Sequence, residues 1–375
     1  MIPPPASHAF VCAALNPGRP AWPRHPDWTA IVDLTDNTLV TSAFYQSLRQ
    51  HDRLADLPEG MVDYLALVHR LNEERNAKLR RQAIEAVRAL NAAGIEPMLL
   101  KGGVGLFAPP RCEDTARMMA DLDILVPEAV AEPAVTALSE IGYQVMLRYP
   151  EELHSYADLA RLGKDVGGID LHKEIVRHTY LLPAAIFWRH AQAVEVMQED
   201  AENEPDLSDL RLFVPSPDCR ILHNLLHAQA HDRGFYHGVV RLRDLHDLAM
   251  IVRCHATDID WRWIEDRLAA HRLEVVLDAQ LLLAERLLGL DWPLSRPPSA
   301  GAVVHRERCL VQMHSRRLAQ LGRFWGNLRL AFAWHRLNQR YEGRGSPIFW
   351  QLHHAVDVLV RVSPARLLGE LRRFK

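Results

Sequence analysis

Cysteine is scarce in this chain of 375 residues. The five present, Cys12, Cys112, Cys219, Cys254 and Cys309, are scattered and form no Cys-x-x-Cys pair. That leaves no basis for a disulfide framework or for a zinc site built of cysteines. An excess of charge of one sign is also lacking, since the formal net charge is −3. Nonspecific polynucleotide binders usually carry a basic excess, so the balance argues against that class, though a local basic groove is compatible with it. No apolar run is long enough for a spanning helix. The start, Met1-Ile-Pro-Pro-Pro, lacks the basic stretch and apolar run of a signal peptide, so a cytoplasmic protein without a membrane partner is expected. Ser139, Ser155 and Ser216 have no Gly-x-Ser-x-Gly context, and neither a Walker-type loop nor a dinucleotide fingerprint occurs.

What is present suffices for a sizeable core: 48% hydrophobic and 24% charged residues, in one large domain or two ordinary ones. Residues 1–38 are proline-rich and weakly patterned, and read as an irregular N-terminal arm. Residues 39–94 read as helical. Leu65, Val68 and Leu71, then Ile84, Val87 and Leu90, fall at helical spacing, and Gly94 supplies a stop. The pattern then changes. Pro97-Met-Leu-Leu-Lys101 is a short apolar run ending at Gly102-Gly103, which predicts a buried strand entering a tight turn and then a short helix, 104–107. Asp121-Leu-Asp-Ile-Leu-Val126 alternates, with Asp121 and Asp123 on one face and Leu122, Ile124 and Val126 on the other. A helix over 128–141, a strand over 143–148 and a hairpin of 153–162 with 169–175 follow. The predicted fold is α+β. A small mixed β-sheet core spans 95–215, with the helical N-terminal segment before it. A larger, all-helical part spans 216–375, with helices at 217–231, 238–254, 259–271, 273–289, 303–321 and 347–360. The closing stretch 361–375 is basic and amphipathic and reads as a solvated terminal helix.

The chemistry concentrates in three carboxylates. Asp121 and Asp123 project from one strand face, and Asp170 lies in a second strand-like run, 168–172. If the two strands are neighbours, the carboxylates converge, and such a cluster needs a cation to offset its repulsion. Mg²⁺, with Mn²⁺ as the alternative, prefers such oxygen ligands and leaves positions open for phosphates. Lys101 and Arg117 add positive charge, and Gly102 and Gly103 let backbone approach a phosphate closely. His172 shares a face with Asp170, as a phosphate contact, an acid/base partner or a residue orienting Asp170. His223, His227 and His231 form an i, i+4, i+8 stripe. It reads as a polar stripe between helices, as part of a cleft (His227 and His231), or as a zinc site lacking the usual glutamate, since Asn224 follows His223.

Taken together, these segments resemble the nucleotidyltransferase superfamily with the polymerase-β-like fold. More closely, they resemble the bacterial uncharacterised nucleotidyltransferase family. The resemblance is carried by Leu99-Leu-Lys-Gly-Gly103, Arg117-Met-Met-Ala-Asp-Leu-Asp-Ile-Leu-Val126, Ile141-Gly-Tyr143 and Ile169-Asp-Leu-His172. His227-Ala-Gln-Ala-His231 and Arg243-Asp-Leu-His-Asp-Leu-Ala249 add to it. It implies Mg²⁺ on Asp121, Asp123 and Asp170, phosphate contacts at Gly102-Gly103, and transfer of a nucleoside monophosphate from an NTP to an unidentified acceptor. The acceptor class stays open between small molecule, peptide and protein. Asp247 sits at a family position. The chain departs from the superfamily at Gly103, where a serine is usual, and in the 17 residues between Gly103 and Asp121. Alternatives are an inactive nucleotide-binding module of the same fold, a toxin-like enzyme acting on tRNA, and a helical scaffold with a merely structural α/β unit.

Overall fold

The computed structural model describes residues 3–16, 26–107, 116–176, 181–194, 207–231, 233–332 and 352. The proline-rich lead-in is not an irregular arm. It carries helix α1, Ala6–Ala14, and helix α2, Trp28–Asn37. Pro5 stands at the N-cap of α1, where its missing N–H costs nothing, and Asp27 caps α2 by accepting from the Ala30 N–H. Phe10, Val11 and Cys12 of α1 are buried in the same hydrophobic cluster as Leu222, Leu245 and Leu277 far along the chain. The N-terminal helices therefore help close the core of the C-terminal half.

Helix α3, Thr41–Gln50, and the 34-residue α4, Glu59–Ala92, follow. The C-terminal half of α4 supports the sheet through Leu79, Ala83, Val87 and Leu90. Its polar residues pin the segment before the aspartates. Asn76 donates to the Arg117 carbonyl, and Arg75 donates to the carbonyls of Met119 and Ala120.

The strands are β1 (Met98–Leu99), β2 (Leu122–Leu125), β3 (Gln144–Arg148), β4 (Ser155–Ala160), β5 (Ile169–His172), β6 (Ala191–Ala193) and β7 (Phe213–Pro215). They form one mixed sheet in the order β3-β4-β5-β2-β1-β7-β6. The predicted hairpin is present as antiparallel β4 and β5. β5 lies parallel beside β2, with Asp123 opposite Asp170 and Leu125 opposite His172. Helix α5, Ala131–Glu140, and the short α6, Ala184–Arg189, complete the α/β part.

The described residues beyond the sheet are helical: α7 (Pro217–Leu225), α8 (Gly234–His237), α9 (Leu242–Cys254), α10 (Trp261–Ala269), α11 (Glu274–Leu288), α12 (Ala300–Met313) and α13 (Arg316–Ala331). The single helix expected over 303–321 is two, because the chain breaks at His314-Ser315. The helix over 217–231 ends its α-helical part at Leu225 and continues as a π turn, Leu226–His231. The wider turn takes the chain off the register of the histidine stripe. The predicted helix 347–360 lies, apart from Leu352, outside the described residues, as does 361–375. Cys12, Cys219 and Cys309 are buried free thiols. Among the described residues no helix is long and apolar enough to cross a membrane.

Candidate active site

The site grows from the β2–β5 pairing. Parallel neighbours in register place equivalent side chains side by side, so Asp123 and Asp170 point the same way from adjacent strands. His172, two residues after Asp170, shares their face and is fully buried. Its Nε2 lies 3.0 Å from Asp123 Oδ1 and 3.0 Å from Asp170 Oδ2. Burial opposes a charged imidazole, but the hydrogen bonds to the two carboxylates lift its pKa to about 9. Burial likewise opposes charge on Asp123, yet the His172 hydrogen bond and the Lys101 ammonium hold its carboxyl far below the usual range. Asp170 is lowered too, against its burial, chiefly by His172, and accepts a hydrogen bond from Ser155 Oγ.

Lys101 reaches Asp123 Oδ1 at 2.5 Å. It opens a 3₁₀ segment, Lys101–Leu106, directly after β1, with its own backbone at φ +47°. A non-glycine residue in that left-handed region is strained by about 1–3 kcal/mol. The strain here is what turns the chain so that the ammonium faces the carboxylates. Gly102 has no room for a side chain: a Cβ there would stand 2.2 Å from Arg117 Nη1 and 2.3 Å from Met119 Sδ. Gly103 differs, because a Cβ would meet only Leu99, at an ordinary 3.5 Å.

Asp121 stands just before β2, where partial desolvation of its carboxyl among the cleft residues, then the repulsion of Asp123, raise its pKa. It belongs to the same electrostatic centre but not to the tightest group. Arg117 lines the cleft while its Nε donates to Asp247 Oδ2 at 2.9 Å, which ties the core to α9. Asp247 thus acts as a link between core and helix. His227 lines the cleft, whereas the side chain of His231 lies outside the described residues.

Lys101, Gly102, Arg117, Asp121 and Asp123 line a cleft of about 1020 Å³, with Asp170 and His172 behind Asp123. Its floor is the 101–106 turn with Asp121 and Asp123. One wall is α4, with Arg80, Arg81 and Arg88, and the other is α7 and α9, with Arg220, His223 and Arg243. Sequence reasoning did not anticipate the α4 arginines. Their sole signal was four-residue spacing along one stripe, Asn76, Arg80, Ile84 and Arg88, which core packing explains equally well. Nor did it anticipate the Lys101–Asp123 contact, because nothing local links residues 22 apart.

Asp123, Asp170 and His172 offer ligand atoms within 4.8 Å of one another, and Asp170 Oδ1 is buried without a hydrogen-bond partner. That orphaned carboxylate oxygen, with the Asp123 carboxylate beside it, fits a divalent cation. Asp121 is not in that group of three.

A mixed sheet that sets two carboxylates side by side on adjacent strands, one of them lining an arginine-rich cleft, is consistent with a nucleotidyl-transfer core. The sequence model of the uncharacterised nucleotidyltransferase family matches residues 24–289, and the chain belongs to that family. No curated protein and no solved structure matches it.

Proposed function

We propose that the protein is a Mg²⁺-dependent nucleotidyltransferase, with Mn²⁺ as the alternative ion. It moves a nucleoside monophosphate from an NTP to a hydroxyl or phosphate of an acceptor, a small molecule, peptide or protein. The observation that carries this reading is the register pair Asp123–Asp170, with His172 between them, at the edge of a cleft of about 1020 Å³. Asp123 and Asp170 would hold the ion, with His172 and Asp121 nearby. A bound divalent ion supplies charge neutralisation of the triphosphate.

The chain's own groups do the rest. Lys101, Arg80 and Arg81 flank the 101–106 turn and offset the negative charge of the donor's phosphates. Gly102 and Gly103 leave the backbone open to them. The acceptor oxygen attacks the α-phosphorus, the bond from that phosphorus to the β-bridging oxygen breaks, and pyrophosphate leaves. The acceptor's proton passes to Asp170 as general base.

Two observations favour a second reading, a nucleotide-binding module without turnover. Lys101 already occupies Asp123 Oδ1, and Gly103 lacks the usual serine hydroxyl. The tRNA reading has less support, because Glu73 and Glu85 interleave with the arginines on the α4 wall. The scaffold reading required Asp170 to stand far from Asp123, and the two are register partners. The test is pyrophosphate release from each NTP with Mg²⁺ or Mn²⁺ in the presence of a metabolite and peptide extract. Release that Asp123→Asn abolishes supports the transferase. NTP binding without any release supports the module.

A further inference from the structure

The cleft, about 1020 Å³, stands at the upper end of the range of about 300–1,000 Å³ for a single drug-sized ligand, and α7 forms part of its wall. The α4 side and the floor are occupied by the groups assigned to the donor. The α7 side holds an unexplained group. His223 is 4% exposed, lines the cleft, and its Nε2 is buried with no hydrogen-bond partner. Leaving such an atom unmet costs about 1–3 kcal/mol, so its retention calls for a partner from outside the chain.

The ring is held in one orientation. Phe187 meets it edge-on at 5.9 Å and His227 edge-on at 6.1 Å. Burial first, then the nearby charge of Lys101, push its pKa well below the ordinary value, so the imidazole is neutral. It can therefore hydrogen-bond an oxygen without adding a charge beside the carboxylates. One turn earlier on the same helix, Arg220 also lines the cleft. The π turn begins three residues after His223, and such turns recur at functional sites because they re-aim side chains.

Resting on the nucleotidyltransferase reading, we propose that the cleft-facing side of α7 is the acceptor subsite. His223 Nε2 holds an oxygen of the acceptor, and Arg220 recognises a negative group on it, a phosphate or a carboxylate. The acceptor is therefore a small hydroxylated anion or an anionic group on a larger molecule, not a neutral alcohol.

The test uses the full chain, labelled with ¹⁵N-histidine, with Mg²⁺ and a non-hydrolysable ATP analogue. Glycerol 3-phosphate and glycerate serve as phosphate and carboxylate probes, and glycerol as the neutral control. The His223 resonances are assigned by their loss in His223→Gln. The expected result is that one or both anionic probes shift those resonances and glycerol does not. Arg220→Ala should weaken probe binding at least ten-fold while nucleotide affinity stays within two-fold. The phosphate and carboxylate arms identify which anion is preferred. Movement of the His223 signals with nucleotide alone would assign the residue to the donor and overturn the proposal. So would an equal response to glycerol, no response to either anion, or a crystal structure of the ternary mixture with only a water on Nε2. Failure of the wild type to bind nucleotide at all would instead refute the transferase reading beneath it.

Discussion

Replacing Asp123 with alanine removes the one carboxylate that Lys101 and His172 share at 2.5 and 3.0 Å. Removing one partner of a buried charge pair costs about 3–5 kcal/mol. Two features reduce that here. The Lys101 side chain is 26% exposed and can turn into solvent, and His172 keeps Asp170 at 3.0 Å. We expect a loss of about 2–3 kcal/mol at pH 7 with metal chelated. The pH dependence gives the sharper signature. His172 is raised to about 9, above its ordinary value of 6.5. A raised pKa contributes stability that is complete below the unfolded value and is lost as the pH climbs through the folded one. Much of that contribution comes from Asp123, so the gap between wild type and variant should be widest at or below about pH 6.5 and narrow by about pH 9.5. Urea denaturation of both proteins across that range measures it. Equal stability at pH 7, or a gap that stays constant to about pH 9.5, would refute the shared-carboxylate reasoning.

Further expectations follow from the same geometry. Gly102→Ala should displace the Arg117 guanidinium and the Met119 thioether, costing about 1–3 kcal/mol and weakening NTP binding. A double-mutant cycle of Arg117→Ala with Asp247→Ala should give a coupling of about 0.5–3 kcal/mol, and independence of the two would dissolve the link between core and α9. Gly103→Ser should fold within about 0.5 kcal/mol of wild type, since its Cβ meets only Leu99 at 3.5 Å. If the added hydroxyl tightens nucleotide binding, the family's usual serine acts here too.

The sequence made the middle of the fold legible because each piece there had a strong local signal. Alternation marked β2, Gly102-Gly103 marked the turn after β1, and the glycines at 163–168 marked the hairpin. Asp123 and Asp170 could be matched because both lay on strands whose pairing the topology made plausible. Three things were not legible. β6 and β7 are three residues each, too short for periodicity to register, and their place beside β1 depends on contacts across more than 100 residues. α1 and α2 were hidden by the prolines around them, although their buried faces belong to the main core. The placement of Asp121 outside the tight group, with His172 in it instead, follows from where β2 begins. An element boundary of one or two residues is what local pattern defines least well.

The most direct test is calorimetric binding of ATP, GTP, CTP and UTP, each with Mg²⁺, to wild type and to Asp123→Asn/Asp170→Asn. These replacements keep the shape of the site and remove its charge. The account predicts metal-dependent binding of at least one NTP by wild type, weakened ten-fold or more in the double variant. Equal binding by both proteins, or no binding by a well-folded wild type, would contradict it.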